Sequence, residues 1–246
     1  MHRFFLPPSS WNSERLVLDM AESHHAVGVL RLDAGEKVVI FDGQGSEATA
    51  EIVAAKSNRV ELRKISQSKS AAMKCRITLG QAIPKGKNME LIVEKATELG
   101  AAAITPLLSE RTVVRYDEEE AASKKQKWQR VALEAAKQCG QNWLPEVGKP
   151  VSLKSFFGAN PKFDLMLIAS LQPDAKPFKS VLAESASRPA NVLILVGPEG
   201  DFTPAEINLA KSAGCRPVTL GPIILRTETA ALYCLSVLSH ELFGVV

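Results

Sequence analysis

The spacing of apolar and polar positions changes character near residue 72 of this 246-residue chain. Before that point the rhythm is short. Arg59-Val60-Glu61-Leu62-Arg63-Lys64-Ile65 alternates polar and apolar, the mark of a half-buried strand. Glu36 to Phe41 is an apolar β-type run ending at the turn Asp42-Gly43-Gln44-Gly45, and Glu47 to Val53 leads away from it, which predicts a hairpin. A short helix is expected around Ser23 to Leu30. Gln67 to Ala72 is small and polar and is the expected junction. Residues 1–72 therefore read as a small, mostly β domain, and 73–246 as a second one.

After residue 73 strands and helices alternate. Cys75 to Ala82 and Ala102 to Leu108 read as strands. Asn88 to Leu99 has a helical period, with Met89, Ile92, Val93, Ala96 and Leu99 on one face and Gly100 as its stop. A longer helix is expected from about Glu119 to Cys139. Phe163 to Ala169 and Asn191 to Val196 are nearly continuous apolar runs, as in strands buried on both faces of a parallel sheet. Thr203-Pro204-Ala205-Glu206 is a capping box with proline at the first helical position, and Gly214 ends that helix. Arg216 to Leu220 predicts a short strand and Thr227 to Phe243 a final helix. That helix is apolar on most sides, so packing on a sheet accounts for one face and a subunit interface for the other. The pattern is an α/β domain with a parallel sheet.

Composition adds exclusions. Hydrophobic residues are 46% and charged residues 23%, which is globular and not disordered, collagenous or coiled-coil. No run of apolar residues is long enough to span a membrane, and the start lacks a signal-peptide pattern. The four cysteines form no CxxC and no metal-ligand spacing with the four histidines. A reduced, cytoplasmic protein without metal is expected. The net charge of +3 is too mild to argue for nucleic acid, but residues 56–76 hold Lys56, Arg59, Arg63, Lys64, Lys69, Lys74 and Arg76 against Glu61 alone.

Several motifs fail. Gly43-Gln44-Gly45-Ser46-Glu47-Ala48 matches a dinucleotide fingerprint formally, yet a β-like run follows it, so no helix N-terminus is there to meet a pyrophosphate. Walker A and G-x-S-x-G are absent. Adjacent His24 and His25 point apart on a helix and are poor co-ligands. Two loops hold. Val196 to Phe202 follows a buried strand and precedes a capped helix, where ligands sit in open α/β sheets, and its glycines allow close backbone approach. Leu220 to Ala230 gathers Arg226, Thr227, Glu228 and Thr229 at the start of the last helix, more than a capping role for Thr227 explains.

Together GPEGDFTPAE (197–206) and LGPIILRTETA (220–230) resemble the two signature loops of the ribosomal small-subunit RNA uridine-N3 methyltransferases, the RsmE type of the SPOUT class. Lys85-Gly86, Met89 through Gly100, Ile104-Thr105-Pro106, Glu110-Arg111, Ala135 to Gly140 and Pro145 fit the same family. So do Arg3-Phe4-Phe5, His24-His25, Val29-Leu30-Arg31 and Phe41-Asp42-Gly43, so the resemblance covers nearly the whole chain. The chain departs from it at Ile223 and Gln141, where arginine is usual, and at Asp201, where glycine is usual.

The resemblance implies a SPOUT-type parallel sheet with a C-terminal trefoil knot, preceded by a PUA-like β-barrel for RNA. It implies S-adenosylmethionine as cofactor, without metal, and methylation of N3 of a uridine in 16S ribosomal RNA, with the assembled small ribosomal subunit as substrate. It places Leu171, Val196, Gly197, Pro198, Glu199, Gly200, Leu220, Gly221, Ile224, Leu225, Thr229 and Ala230 around the cofactor. Arg3, Arg31, Arg59, Arg63, Lys64 and Lys85 would face RNA. Uridine N3 must lose its proton to become a nucleophile, and the charge then spreads onto O2 and O4. Arg226, an always-charged fork of donors, is the candidate to stabilise it, and Glu228 either orients Arg226 or takes the proton. A homodimer is expected, with the last helix in its interface. A non-enzymatic RNA-binding or ribosome-assembly protein is the alternative, and a dehydrogenase-like nucleotide enzyme is a third reading.

Overall fold

The short-period segments form one sheet. In this computed structural model, which describes residues 1–11, 15–184 and 188–244, the first five strands are β1 (Arg3–Phe5), β2 (Arg15–Val17), β3 (Lys37–Phe41), β4 (Ser46–Lys56) and β5 (Arg59–Lys69). They pair in the order β1-β3-β4-β5-β2, with β1 parallel to β3 and the rest antiparallel. Alternate residues of β3, β4 and β5 turn inward. Phe4, Leu16, Val38, Ile40, Ala50, Ile52, Val60 and Leu62 fill a core beneath them. Register shifts at Thr49/Ala50 and Ile52/Ala54 break the β4–β5 ladder, and such bulges bend and twist strands. The expected hairpin forms at Asp42, whose Oδ1 accepts from the N–H of Gln44 and of Ser46.

Two expectations shift here. The short helix starts earlier, as α1 (Met20–His24), because Asp19 caps it by accepting from Glu22 N; His25–Val29 continue as a π-helical turn. The polar stretch expected as junction is partly strand: Gln67, Ser68 and Lys69 pair with Ala48, Glu47 and Ser46.

Contacts divide the chain into two units. The first is Met1–Ala72 together with Leu133–Leu144, a segment that periodicity alone assigns to the second half. Asn142 ties it in. Its amide donates to Glu47 Oε2 and Ser70 Oγ and accepts from Arg3, while Leu144 N donates to Gly43 O. Lys137 pairs with nearly buried Glu22. Burial pushes the Glu22 carboxyl above its ordinary range despite that ammonium.

The second unit, Met73–Ala132 with Pro145–Val246, is built on a parallel sheet. Its strands are β6 (Arg76–Ala82), β7 (Ala103–Leu108), β8 (Glu146–Val147), β9 (Val151–Ser152), β10 (Leu165–Ala169), β11 (Lys176–Pro177), β12 (Asn191–Val196) and β13 (Arg216–Thr219). The order is β11-β13-β10-β12-β6-β7-β8, with β9 also beside β7. Every pairing is parallel, so every strand's carboxyl end lies along one edge. The helices are α2 (Asn88–Glu98), α3 (Glu118–Cys139, whose last turns belong to the first unit), α4 (Leu153–Gly158), α5 (Phe178–Ala183), α6 (Pro204–Ser212) and α7 (Thr227–Phe243).

Local chemistry sets several of these boundaries. Gly100 ends α2 at φ +81° and Gly214 follows α6 at φ +101°, both in the left-handed region where glycine carries no Cβ penalty. The capping box at α6 is complete: Thr203 Oγ1 accepts from Glu206 N, and Glu206 accepts from Thr203 N. Helix α7 follows edge-side β13 but packs on α2 and on β6 and β12 at the sheet centre. It buries Ala230, Ala231, Cys234, Leu235, Leu238 and Leu242 as one stripe and leaves Tyr233 exposed. No helix among the described residues is long and apolar enough to cross a membrane.

Candidate functional site

Loops leaving the carboxyl ends of β10, β12 and β13 converge on one pocket. It is lined by Ala169–Leu171 after β10, Val196–Glu199 and Asp201 after β12, and Leu220, Gly221, Ile223, Ile224, Leu225 and Thr227 after β13, with Ala230 from α7. Its position at the strand ends of a parallel sheet is where ligands bind in this architecture. Leu171, Ile223 and Ile224 are 62–75% exposed. Three large apolar side chains left in water around glycine-rich backbone mark a surface that a partly apolar ligand would cover.

Neighbouring strands brace the walls. The side chain of Glu199 accepts from Lys85 N at 2.9 Å, tying the 197–202 turn to the segment after β6. Arg111, after β7, donates to Gly200 O. Asp201 sits at φ +60°, a left-handed value that glycine adopts freely and aspartate only with local help. Its Oδ1 accepts from Phe202 N at 2.7 Å and its Oδ2 from Leu171 N at 3.5 Å. That explains how a carboxylate occupies a position where the resembled family has glycine.

Of the residues expected around the cofactor, Leu171, Val196, Gly197, Pro198, Glu199, Leu220, Gly221, Ile224, Leu225 and Ala230 line the pocket, whereas Gly200 and Thr229 do not. Gly221 stands at φ +119° with open space where a Cβ would be, a cradle that a ligand can enter. Gly197 differs from the sequence expectation. A Cβ there would meet Asp201 Oδ1 and Phe202 N at 3.1 Å, so its first job is to let the turn close on itself. Arg226 is the N-cap of α7, exposed, between pocket residues Leu225 and Thr227; its guanidinium makes no hydrogen bond or ion pair among the described residues. Glu228 is half-buried in the first turn of α7 and does not pair with Arg226 there.

Two polar side chains lie beneath the pocket, and the sequence singles out only one of them, Thr227. Thr227 is not a cap: it is the first helical residue, and its hydroxyl donates to Gly197 O at 2.6 Å. Behind it lies Gln81, fully buried at the end of β6, donating to Thr227 Oγ1. A glutamine in the apolar run Ile77 to Ile83 was the available signal.

The cations expected to face RNA divide into two kinds. Arg3 is engaged inside its unit, bonded to Glu47 and Asn142 and lying 5.0 Å over the Phe41 ring, with its side chain 14% exposed. That geometry gives it a structural role. Arg59 and Arg63 are largely exposed and pair with Glu61 and Glu51. Lys64 lies over the Trp11 ring and bonds Gln67. Arg31 and Lys85 are exposed. Among the described residues no three His, Cys, Asp or Glu side chains gather as a metal site would need.

Comparison with known proteins identifies the family. A family model described as an RNA methyltransferase domain matches residues 71–239, and one described as an RNA methyltransferase PUA domain matches 18–65. The chain is 32% identical over 225 residues to the ribosomal RNA small subunit methyltransferase E of Bacillus subtilis, covering 89% of this chain and 88% of that one. The Neisseria gonorrhoeae methyltransferase of that name, solved bound to S-adenosyl methionine, superposes with a TM-score of 0.85 at 31% identity, covering 97% and 96%. A Legionella pneumophila chain holding the cofactor SAM superposes with a TM-score of 0.88 at 37% identity, again covering 97% and 96%.

Proposed function

This chain belongs to the RNA methyltransferase family, in its branch of RsmE-type ribosomal RNA methyltransferases, and from that premise we propose that it methylates N3 of one uridine in 16S ribosomal RNA with S-adenosylmethionine, acting on the small ribosomal subunit in the cytoplasm. One observation carries the reading: the glycine-cradled pocket adjoins an uncommitted arginine at the start of α7.

The pocket's residues suit this cofactor. Gly221 leaves room for it, and the exposed side chains of Leu171 and Ile224, with Leu225, offer apolar surface for its apolar parts. Bound S-adenosylmethionine supplies an activated methyl group on a sulfonium. The protein's own task is to orient the uracil and manage one proton. Arg226 aims its fork of donors at O2 and O4, where charge collects as the N3 proton leaves. Glu228 stands in the same turn without an ion pair to Arg226, which supports its carboxylate as the acceptor of that proton.

RNA is held through both halves of the chain, 1–72 as a PUA-like binding domain and 73–246 as the SPOUT catalytic domain. Arg31, Arg59, Arg63 and Lys64 meet phosphates in the first, and Lys85 does so beside the pocket. The return of α7 from β13, next to the edge strand β11, to central β6 and β12 supports a trefoil-knotted C-terminus. Leu232, Tyr233 and Val237, apolar residues outside its buried stripe, support a homodimer through this helix.

The test is mass mapping of 16S RNA from a strain lacking the gene, before and after treating its purified small subunits with the protein and labelled cofactor. One uridine should gain one methyl group at N3. Subunits that stay unmodified while the protein binds them would leave the RNA-binding reading standing instead.

A further inference from the structure

Beneath the pocket, three groups from distant parts of the chain form a directional line of hydrogen bonds. Gln81 Nε2 donates to Ala82 O at 2.8 Å and to Thr227 Oγ1 at 3.0 Å, and the Thr227 hydroxyl donates to Gly197 O at 2.6 Å. Ala82 O can only accept, which fixes the nitrogen end of the amide. Gly197 O can only accept, which fixes the direction of the hydroxyl. Gln81 and Thr227 are 0% and 4% exposed. Gln81 Oε1 is buried with no partner among the described residues, so as packing the amide is a poor choice; an apolar side chain of similar shape would avoid that desolvation.

We propose that Gln81 is a positioning residue for methyl transfer: through Thr227 it clamps the Gly197 turn to the first turn of α7 and so sets the distance from the cofactor pocket to Arg226. The inference rests on the function proposed above. Gly197 and Thr227 both line the pocket and Arg226 adjoins Thr227, so a shift between turn and helix moves the two reacting partners apart. Displacements of about 1 Å cost methyl-transfer geometry far more than they cost folding.

The test compares Gln81→Leu, Thr227→Val, Thr227→Ser and the Gln81→Leu/Thr227→Val double variant with wild type. Thermal melting, S-adenosylmethionine affinity by calorimetry, and single-turnover methylation of small subunits at saturating cofactor are measured on each. Gln81→Leu should melt close to wild type, yet bind the cofactor about 3–10-fold more weakly and turn over about 10–100-fold more slowly. Thr227→Val should match it, Thr227→Ser should regain most of that loss, and the double variant should be little worse than either single, since the line is already broken. A folded Gln81→Leu with wild-type affinity and rate overturns the proposal, as do multiplicative losses in the double variant. If Gln81→Leu does not fold, the Thr227 pair decides in the same way. A wild-type chain that neither binds the cofactor nor methylates overturns the underlying reading and this one with it; a competent wild type beside an unaffected Gln81→Leu overturns this one alone.

Discussion

Lysine at position 226 would keep the charge of Arg226 and lose its planar fork of donors. Single-turnover methylation should then fall by roughly 10²–10³-fold, the usual loss for one donor to a developing anion. Cofactor affinity by calorimetry should stay near wild type, because that contact forms mainly in the transition state. The two glycines of the pocket should separate differently. Gly221→Val forces a β-branched side chain into a left-handed φ and into the open cradle, so cofactor binding should vanish while the circular dichroism spectrum persists. Gly197→Val jams the turn against Asp201 and Phe202, so its melting temperature should drop along with affinity. Cysteine chemistry is settled by burial. The Cys75 thiol is pushed up to about 11 and that of Cys215 to about 12, Cys234 is raised further still, and Cys139 is exposed. Iodoacetamide at pH 8 on the native protein should give one adduct by mass spectrometry, at Cys139.

Elements were legible where their chemistry is local. The Thr203–Glu206 box, the glycine stops at 100 and 214, and the apolar runs of β10 and β12 each announce themselves within a few residues, and the two pocket loops lie directly beside them. Strands of two or three residues, such as Arg15–Val17 and Lys176–Pro177, are too short for any periodicity and exist because longer neighbours hold them. Helical period also says nothing about which unit a helix end will join: residues 133–144 cluster by contacts with the first unit because Asn142 is recruited by Glu47, Arg3 and Ser70 across long sequence separations. Gln81 escaped because its partner is 146 residues away. A helix stop is also testable. Gly100→Ala places a Cβ at φ +81° and 2.6 Å from the Phe243 ring, and should cost about 1–2 kcal/mol in chemical denaturation.

For the whole molecule, charge and self-association can be tested apart from chemistry. Replacing Arg59, Arg63 and Lys64 by glutamine should weaken binding to small subunits and flatten its salt dependence, with the single-turnover rate at saturating substrate nearly intact. Because Arg59 and Arg63 already face Glu61 and Glu51, part of their charge is locally offset and the flattening should be less than three free cations would give. Sedimentation should show a dimer at micromolar concentration, and Tyr233→Asp on the outer face of α7 should dissociate it. A stable wild-type monomer would sink that assignment. The return of α7 to central β6 has one more consequence, in time. Contacts that join residue 81 to residue 227 form late, and topologies rich in them fold slowly. During synthesis the N-terminal strands can pair long before Leu220–Ala230 exists. A nascent chain is therefore blind to its cofactor until that last stretch has left the ribosome, and no partly made copy can modify RNA.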